Sequence, residues 1–155
     1  MPSNFKVLSG ASGEPNDPNF KNVTLLLHGD GSNGAQNNTF IDSSTNNFTI
    51  TRNGNTTQGS FSPYGSNWSN YFDGSGDYLY PAASPNLAMG TGDFTVEGWI
   101  YATGTPSDSP IFECRSTGSA TDGFTLTAFS SSVIRLFCGS ALISSSSTTY
   151  VGQWV

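Results

Sequence analysis

Short apolar stretches recur along the chain from Asn22 onward, and polar, turn-forming residues separate them. The stretches are rich in β-branched and aromatic residues, a composition typical of strands. No segment repeats apolar residues at the helical spacing, so the pattern predicts an all-β sandwich or barrel. The predicted strands are residues 23–28, 48–52, 70–72, 78–80, 94–101, 111–115, 124–129, 133–138 and 148–151.

Dipeptides that tolerate positive φ lie between the predicted strands and mark reverse turns. They are Asp30-Gly31, Asn33-Gly34, Asn53-Gly54, Asp73-Gly74 and Asp122-Gly123. Near the C-terminus, residues 130–132 are three serines between two predicted strands, a length that suits a hairpin. With segment 111–115 ahead of this hairpin, the sequence predicts a three-strand meander.

The two cysteines fall on the outer strands of that meander. Two inter-strand spacings separate such positions by roughly 9 to 10 Å, whereas a disulfide needs Cα atoms within about 7 Å. We therefore expect Cys114 and Cys138 to be free, buried thiols that behave as small apolar residues.

Segment 94–101 has the clearest strand alternation. Phe94, Val96 and Ile100 share one predicted face. The other face carries Thr95, Glu97, Trp99 and Tyr101. This second face is aromatic and polar, which suits either a packed layer or a shallow ligand groove.

Residues 1–21 contain three prolines among small polar residues, which predicts a flexible N-terminal arm. We expect one domain over residues 22–155. The N-terminal residues show no apolar signal core, so a cleaved secretion signal is not predicted. No apolar run approaches the ~20 residues that span a bilayer, so membrane insertion is not expected either.

Ser, Thr, Asn and Gly make up almost half of the 155 residues, and only 10% are charged. Soluble domains usually carry about 25% charged residues. Aromatic residues reach 13%, however, so the chain should fold. With 5 basic residues, a net charge of −6 and no Lys/Arg cluster, nucleic-acid binding is not expected.

A series of motifs resembles concanavalin A-like lectin/glucanase domains of the laminin G-like type, in the form found in bacteriophage virion and tail proteins. The motifs are VTLLLHGDGSNG (23–34), FIDSS (40–44), YFDGSGDYL (71–79), GDFTVEGWI (92–100) and VGQWV (151–155). The resemblance covers residues 22–155 and implies an antiparallel two-sheet jelly-roll sandwich that binds glycans and sometimes Ca²⁺. In that family further strands follow the last motif, so we expect the domain to be incomplete at its C-terminus.

A hydrolase needs two carboxylates that flank the scissile bond. The Glu-x-Asp-x-x-Glu strand signature of the related glucanases is absent from the sequence. Asp93 and Glu97 lie roughly 13 Å apart in an extended strand, too far for either hydrolytic mechanism. His28, the one histidine, precedes a glycine-rich turn and is predicted to be structural. We expect no catalysis, with a β-glucanase-like hydrolase as the least favoured alternative.

Sugars bind to aromatic faces flanked by polar side chains. Trp68 is the favoured candidate, because residues 62–69 are rich in turn formers and give a bulky aromatic little reason to be buried. The other aromatic candidates for carbohydrate binding are Tyr64, Tyr71, Trp99 and Tyr101, and the polar candidates near them in sequence are Asn67, Asn70 and Glu97.

Ca²⁺ is the one cofactor that the sequence leaves open. Asp73 and Asp77 flank a Gly-Ser-Gly loop, and Asp30 and Asp42 are further oxygen donors. The loop lacks the EF-hand register and its downstream Glu, so an ordinary tight turn is the favoured interpretation. Two cysteines and one histidine provide no zinc-ligand spacing.

The sequence-based hypothesis is a non-catalytic glycan-binding or adhesion module on a phage particle, in a tail fibre or the capsid. Its expected partners are host-surface glycans, other virion proteins or a second copy of the chain. The second hypothesis, from a different class, is a purely structural module for subunit packing.

Overall fold

A computed structural model describes residues 3–6, 17–29, 39–59, 61–64, 68–115, 123–145 and 149–155. The protein is all-β: the described residues form ten strands and two short 3-10 helices, Phe20–Asn22 and Pro85–Leu87, and no α-helix. The chain divides into two compact units, Met1–Trp99 and Ile100–Val155.

The first unit holds three two-stranded sheets. Its strands are β1 (Ser3–Lys6), β2 (Ile50–Asn53), β3 (Thr57–Gly59), β4 (Ser69–Tyr71), β5 (Tyr78–Pro81) and β6 (Phe94–Glu97). β2 pairs with β5 and β3 with β4, both antiparallel, whereas β1 and β6 are parallel. β1 lies inside residues 1–21, the segment predicted to be an arm, and its pairing with β6 ties it to this unit.

The core of the first unit is built around a buried segment that is not a continuous strand. Val23, Leu25 and Leu26 are buried together with Phe40. The prediction of a continuous strand over 23–28 is wrong: the N–H of Leu26 donates to Asp42 Oδ1 at 3.0 Å, and of the two Leu26 backbone groups only the carbonyl oxygen keeps a backbone partner, the N–H of Ser43 at 2.8 Å. Leu27 forms an isolated bridge with Asp42, and Val23 also takes part in an isolated bridge.

β6 is shorter than the predicted strand 94–101. It ends at Glu97, which pairs with Lys6, the last residue of β1, so the ladder stops where its partner stops. Within β6 the predicted alternation is confirmed: Phe94 and Val96 are half-buried, while Thr95 and Glu97 are exposed. The segment predicted at 148–151 is no strand among its described residues, where Val151 makes only a single bridge to Ala102.

The second unit contains a four-stranded antiparallel sheet in the order β10-β9-β8-β7. Its strands are β7 (Ser109–Cys114), β8 (Phe124–Ser130), β9 (Val133–Cys138) and β10 (Ala141–Ser144). The predicted serine hairpin and the meander are both confirmed, because β8 pairs with β9 and with β7. β10 adds a strand that the pattern did not predict.

The two cysteines are free, as expected. Phe124 on β8 is the register partner of Cys114 on one side and of Cys138 on the other, so one whole strand separates the thiols. Cys114 is half-buried, and burial raises the pKa of its thiol. The prediction that both thiols are buried is wrong for Cys138, which is exposed at the end of β9 beside the turn at Gly139.

Candidate functional site

Two neighbouring tyrosines on β5 form an exposed aromatic surface in the first unit. Tyr78 and Tyr80 are 50% and 46% exposed, and their ring centroids lie 5.7 Å apart with planes inclined by 37°. Strand periodicity places both on one face, because Leu79 between them points to the other side and is half-buried. We call this surface, with the register partners on β2, the Tyr78–Tyr80 face.

The register partners give this face a polar margin. Thr51 lies opposite Tyr80 and Asn53 lies opposite Tyr78, and both are exposed. Asn53 Nδ2 donates to the carbonyl oxygen of Gly76 at 2.7 Å, which holds the amide beside Tyr78. Two neighbouring rings with an amide and a hydroxyl at their edge suit the apolar C–H face of a sugar and its hydroxyls.

Sequence reasoning did not select Tyr78 and Tyr80. The signal was the Tyr-Leu-Tyr alternation itself, which puts two rings on one side of a strand. The missing information was the pairing of β5 with β2, which supplies the polar neighbours Thr51 and Asn53.

A second exposed aromatic pair consists of two residues that the sequence offered as candidates. Trp99 and Tyr64 meet edge to face, with ring centroids 5.6 Å apart and planes at 90°. Each is 42% exposed. Glu97, also predicted, is exposed at the end of β6. The structure therefore brings together Trp99 and Tyr64, which are distant in the sequence.

The predicted residues around β4 differ in exposure. Trp68, the favoured candidate, is half-buried, whereas Tyr71 is 54% exposed opposite Thr57. Asn70 is half-buried opposite Gln58. Asn67 lies outside the described residues. On exposure alone, Tyr71 is a better platform than Trp68.

Tyr101 belongs to the second unit and is half-buried there. Its ring packs on Trp154, with centroids 5.5 Å apart, and the two residues also form a backbone bridge. The contact with Trp154 indicates that Tyr101 packs within the second unit.

The acidic turn after β4 uses its carboxylates to hold backbone. Asp77 Oδ2 accepts from the N–H of Asp73 at 2.9 Å and Oδ1 accepts from that of Asn55 at 2.6 Å. Asp73 Oδ1 accepts from the N–H of Ser75 at 2.7 Å. The hydrogen bond from the Asp73 backbone is the main reason that the pKa of Asp77 lies below its ordinary value.

The other candidate calcium ligands, Asp42 and Asp30, bring no further oxygen ligand to this turn. Asp42 is buried, with both carboxylate oxygens accepting hydrogen bonds from neighbouring residues, and Asp30 lies outside the described residues. Within the described ranges, no three His, Cys, Asp or Glu residues gather in a way that could hold a metal ion. His28, expected to be structural, is buried.

Comparisons with known proteins return no relative: no protein-family model matches the chain, and neither the curated proteins nor the solved structures include a significant match. In the part of the chain that the structure describes, no helix is long and apolar enough to cross a membrane. The class that the fold and the exposed surfaces define is an all-β protein with aromatic faces open to solvent.

Proposed function

We propose that this protein is a non-catalytic carbohydrate-binding module and that the Tyr78–Tyr80 face is its glycan platform. The observation that carries the proposal is the exposure of two neighbouring rings, each about half open to solvent, on a strand that keeps Leu79 turned away. Exposed apolar surface of this kind marks binding sites. The flanking Thr51 and Asn53 are the side-chain types that hydrogen-bond to sugar hydroxyls.

The sequence motifs, rather than the structure, suggest the sheet arrangement and the biological location that we propose. We propose a two-sheet jelly-roll of the laminin G-like type, carried on a phage virion where it contacts host-surface glycans. The observed all-β fold and antiparallel sheets are compatible with that arrangement. The low charge of the chain also suits a neutral ligand better than a phosphate-bearing one.

The test is binding of the purified chain to an array of bacterial envelope glycans, with and without Ca²⁺, followed by titration of the best ligand. Tyr78→Ala and Tyr80→Ala should each weaken binding about fivefold or more, because truncating an aromatic anchor costs more than about 1 kcal/mol. Tyr78→Phe and Tyr80→Phe keep the ring and should retain most of the affinity.

Leu142→Ala is the matched control, since it removes exposed apolar surface from β10 and leaves both tyrosines in place. Equal losses of affinity in this control and in the tyrosine variants would mean that the glycan adsorbs nonspecifically to exposed apolar surface. Absence of any glycan ligand would refute the proposed function. Release of reducing ends from the bound glycan would contradict the non-catalytic part and favour the hydrolase alternative.

A structural packing role is the second candidate, and the position of β10 favours it. Among the described strands β10 is the last of its sheet, and Leu142 and Ile143 on it are 51% and 62% exposed. Open strand edges with apolar side chains pair readily with other chains.

A further inference from the structure

Two turns of the first unit are joined by hydrogen bonds beside the proposed glycan platform. One is the acidic turn, residues 73–77, and the other is the turn that connects β2 to β3. Asn53 Nδ2 donates to the carbonyl oxygen of Gly76 at 2.7 Å, and the N–H of Asn55 donates to Asp77 Oδ1 at 2.6 Å. We call this double connection the turn clamp.

A glycine allows the two turns to approach this closely. Gly54 has a φ of 70°, and a Cβ placed on it would overlap Asp77 Oδ1. The Asp77 carboxylate therefore lies against the backbone of the neighbouring turn and also accepts one of its N–H groups. Within its own turn, Asp77 Oδ2 accepts from the N–H of Asp73 at 2.9 Å. Hydrogen bonds to both turns thus fix the carboxylate in place.

The turn clamp determines which way the Asn53 amide faces. A backbone carbonyl only accepts hydrogen bonds, so the atom of Asn53 that contacts Gly76 must be the Nδ2 donor and not Oδ1. Asn53 is exposed, and no described residue bonds to its Oδ1 or to its second Nδ2 hydrogen. An oriented acceptor and an oriented donor therefore lie side by side next to Tyr78, where a ligand can reach them.

We propose that Asn53 determines the specificity of the Tyr78–Tyr80 face by binding two neighbouring hydroxyls of one sugar, and that Asp77 positions Asn53 through the turn clamp. This inference rests on the glycan-binding function proposed above. A side-chain amide can accept from one hydroxyl and donate to the next, while the ring of Tyr78 contacts the C–H face of the sugar. A sugar that lacks either hydroxyl leaves part of the oriented amide unpaired, so it should bind more weakly.

The test compares the methyl glycosides of glucose, galactose and mannose with their monodeoxy analogues, each titrated into the full chain and followed by NMR. At least one parent glycoside should bind, and the two analogues that each lack one hydroxyl of a neighbouring pair should bind about threefold or more weakly. In Asn53→Ala, the parent and these two analogues should bind about equally well. Asn55→Ala is the matched control, because it removes another exposed asparagine and keeps the backbone N–H that Asp77 accepts.

Asp77→Ala tests the positioning role. In the unliganded protein it should shift the NMR signals of the Asn53 side-chain amide, and in the titrations it should reduce the preference for the parent glycoside over its deoxy analogues. An equal loss of affinity for parent and analogues would indicate a merely structural effect and would overturn the role of Asp77. Ser75→Ala is the control, since it removes an exposed side chain from the same turn and leaves both bonds of the turn clamp in place.

The remaining outcomes separate this inference from the proposed function. If Tyr78→Ala weakens binding while Asn53→Ala keeps the full preference for the parent glycoside, the inference is overturned and the glycan platform stands. If no methyl glycoside binds but longer glycans on the array do, the result is the same. If neither the methyl glycosides nor the arrayed glycans bind, the proposed function fails and the inference fails with it.

Discussion

Asp42 is a buried carboxylate whose hydrogen bonds hold together two segments of the first unit. It is 2% exposed. Its Oδ1 accepts from the N–H groups of Leu26 and Ser44 at 3.0 and 2.9 Å, and its Oδ2 accepts from the Ser44 hydroxyl and the Phe48 N–H, both at 2.9 Å. A carboxylate is purely an acceptor, so it matches a set of four donors that no other side chain of this size could satisfy.

Asp42→Asn should therefore lower the free energy of unfolding by about 2–4 kcal/mol, measured by urea denaturation. The amide loses the charge and turns an N–H group toward backbone N–H donors, and hydrogen bonds to charged groups contribute about 1.5–3 kcal/mol each. Asp17→Asn is the control: Asp17 is exposed and accepts from the Asn19 N–H, so its effect should stay within about 0.5–1 kcal/mol. Equal effects in the two variants would contradict the role of Asp42.

Asp77 makes the acidic turn sensitive to low pH. Its pKa lies below the ordinary value, chiefly because the Asp73 N–H donates to the carboxylate. A carboxyl whose pKa falls on folding adds stability that is complete above its unfolded pKa, about 3.9, and disappears as the pH falls through the folded pKa. The unfolding midpoint measured from about pH 5 to pH 2 should therefore decline, and Asp77→Asn should make that decline shallower. An identical pH profile in both proteins would contradict this.

At the level of single residues, the sequence could identify aromatic and acidic candidates but not their surroundings. Tyr101 carries the same chemistry as Tyr80, yet packing on Trp154 half-buries the first and strand pairing leaves the second exposed. The roles of Asp73 and Asp77 as turn residues were foreseeable, because side-chain to backbone hydrogen bonds in such turns are local. The pairing of Trp99 with Tyr64 was not, since it joins positions far apart in the chain.

Among the elements, the entry into β8 depends on a glycine. Gly123 has a φ of 90°, and a Cβ placed there would overlap the carbonyl oxygen of Cys114 at the end of β7. Gly74 also has a positive φ, 84°, but a Cβ there would meet nothing within 4 Å. Both positions have a positive φ that would strain an alanine. They differ in their steric surroundings, so the two alanine variants form a matched pair.

Gly123→Ala should destabilise the protein by about 2–3 kcal/mol more than Gly74→Ala. The shared left-handed conformation costs each alanine roughly 1–2 kcal/mol, and overlap with backbone adds the strain of overpacking at Gly123 alone. Chemical denaturation of the two variants measures the difference. A difference below about 0.5 kcal/mol would mean that the ends of β7 and β8 separate easily, contrary to the close approach seen here.

Local signals explain which elements were predictable. The hairpin of β8 and β9 combines a short serine turn with two stretches rich in apolar and β-branched residues. The strand signal and the turn signal therefore both predict a hairpin at this place. β3 (Thr57–Gly59) and β10 (Ala141–Ser144) were missed because each holds only one β-branched residue and no aromatic residue, and their pairing comes from their neighbours in space. The apolar segment at 23–28 is not a continuous strand because side chains distant in sequence bond to its backbone: Asp42 accepts from the Leu26 N–H, and Ser44 and Asn46 donate to the Thr24 carbonyl oxygen.

At the scale of the whole molecule, net charge and the edge strands of the sheets govern whether copies of the chain associate. Five basic and 11 acidic residues give a net charge of −6 over 155 residues, so mutual repulsion between chains is modest and is screened at physiological salt. Contacts between copies are then decided by exposed apolar surface and open strand edges. β10 offers both, since Leu142 and Ile143 are exposed on the last strand of a four-stranded sheet.

We expect the wild-type chain to self-associate through the β10 edge and Ile143→Lys to reduce that association, because an edge lysine opposes strand pairing. Sedimentation over a concentration series measures it, with Ile41→Lys as the control: Ile41 is 59% exposed, close to the 62% of Ile143, but lies in the first unit. Glycan binding should survive Ile143→Lys, because the Tyr78–Tyr80 face is unchanged. If glycans never bind and only the β10 variant loses assembly, subunit packing becomes the function. If both lysine variants reduce association equally, a general gain in solubility explains the result and the β10 edge has no special part in it.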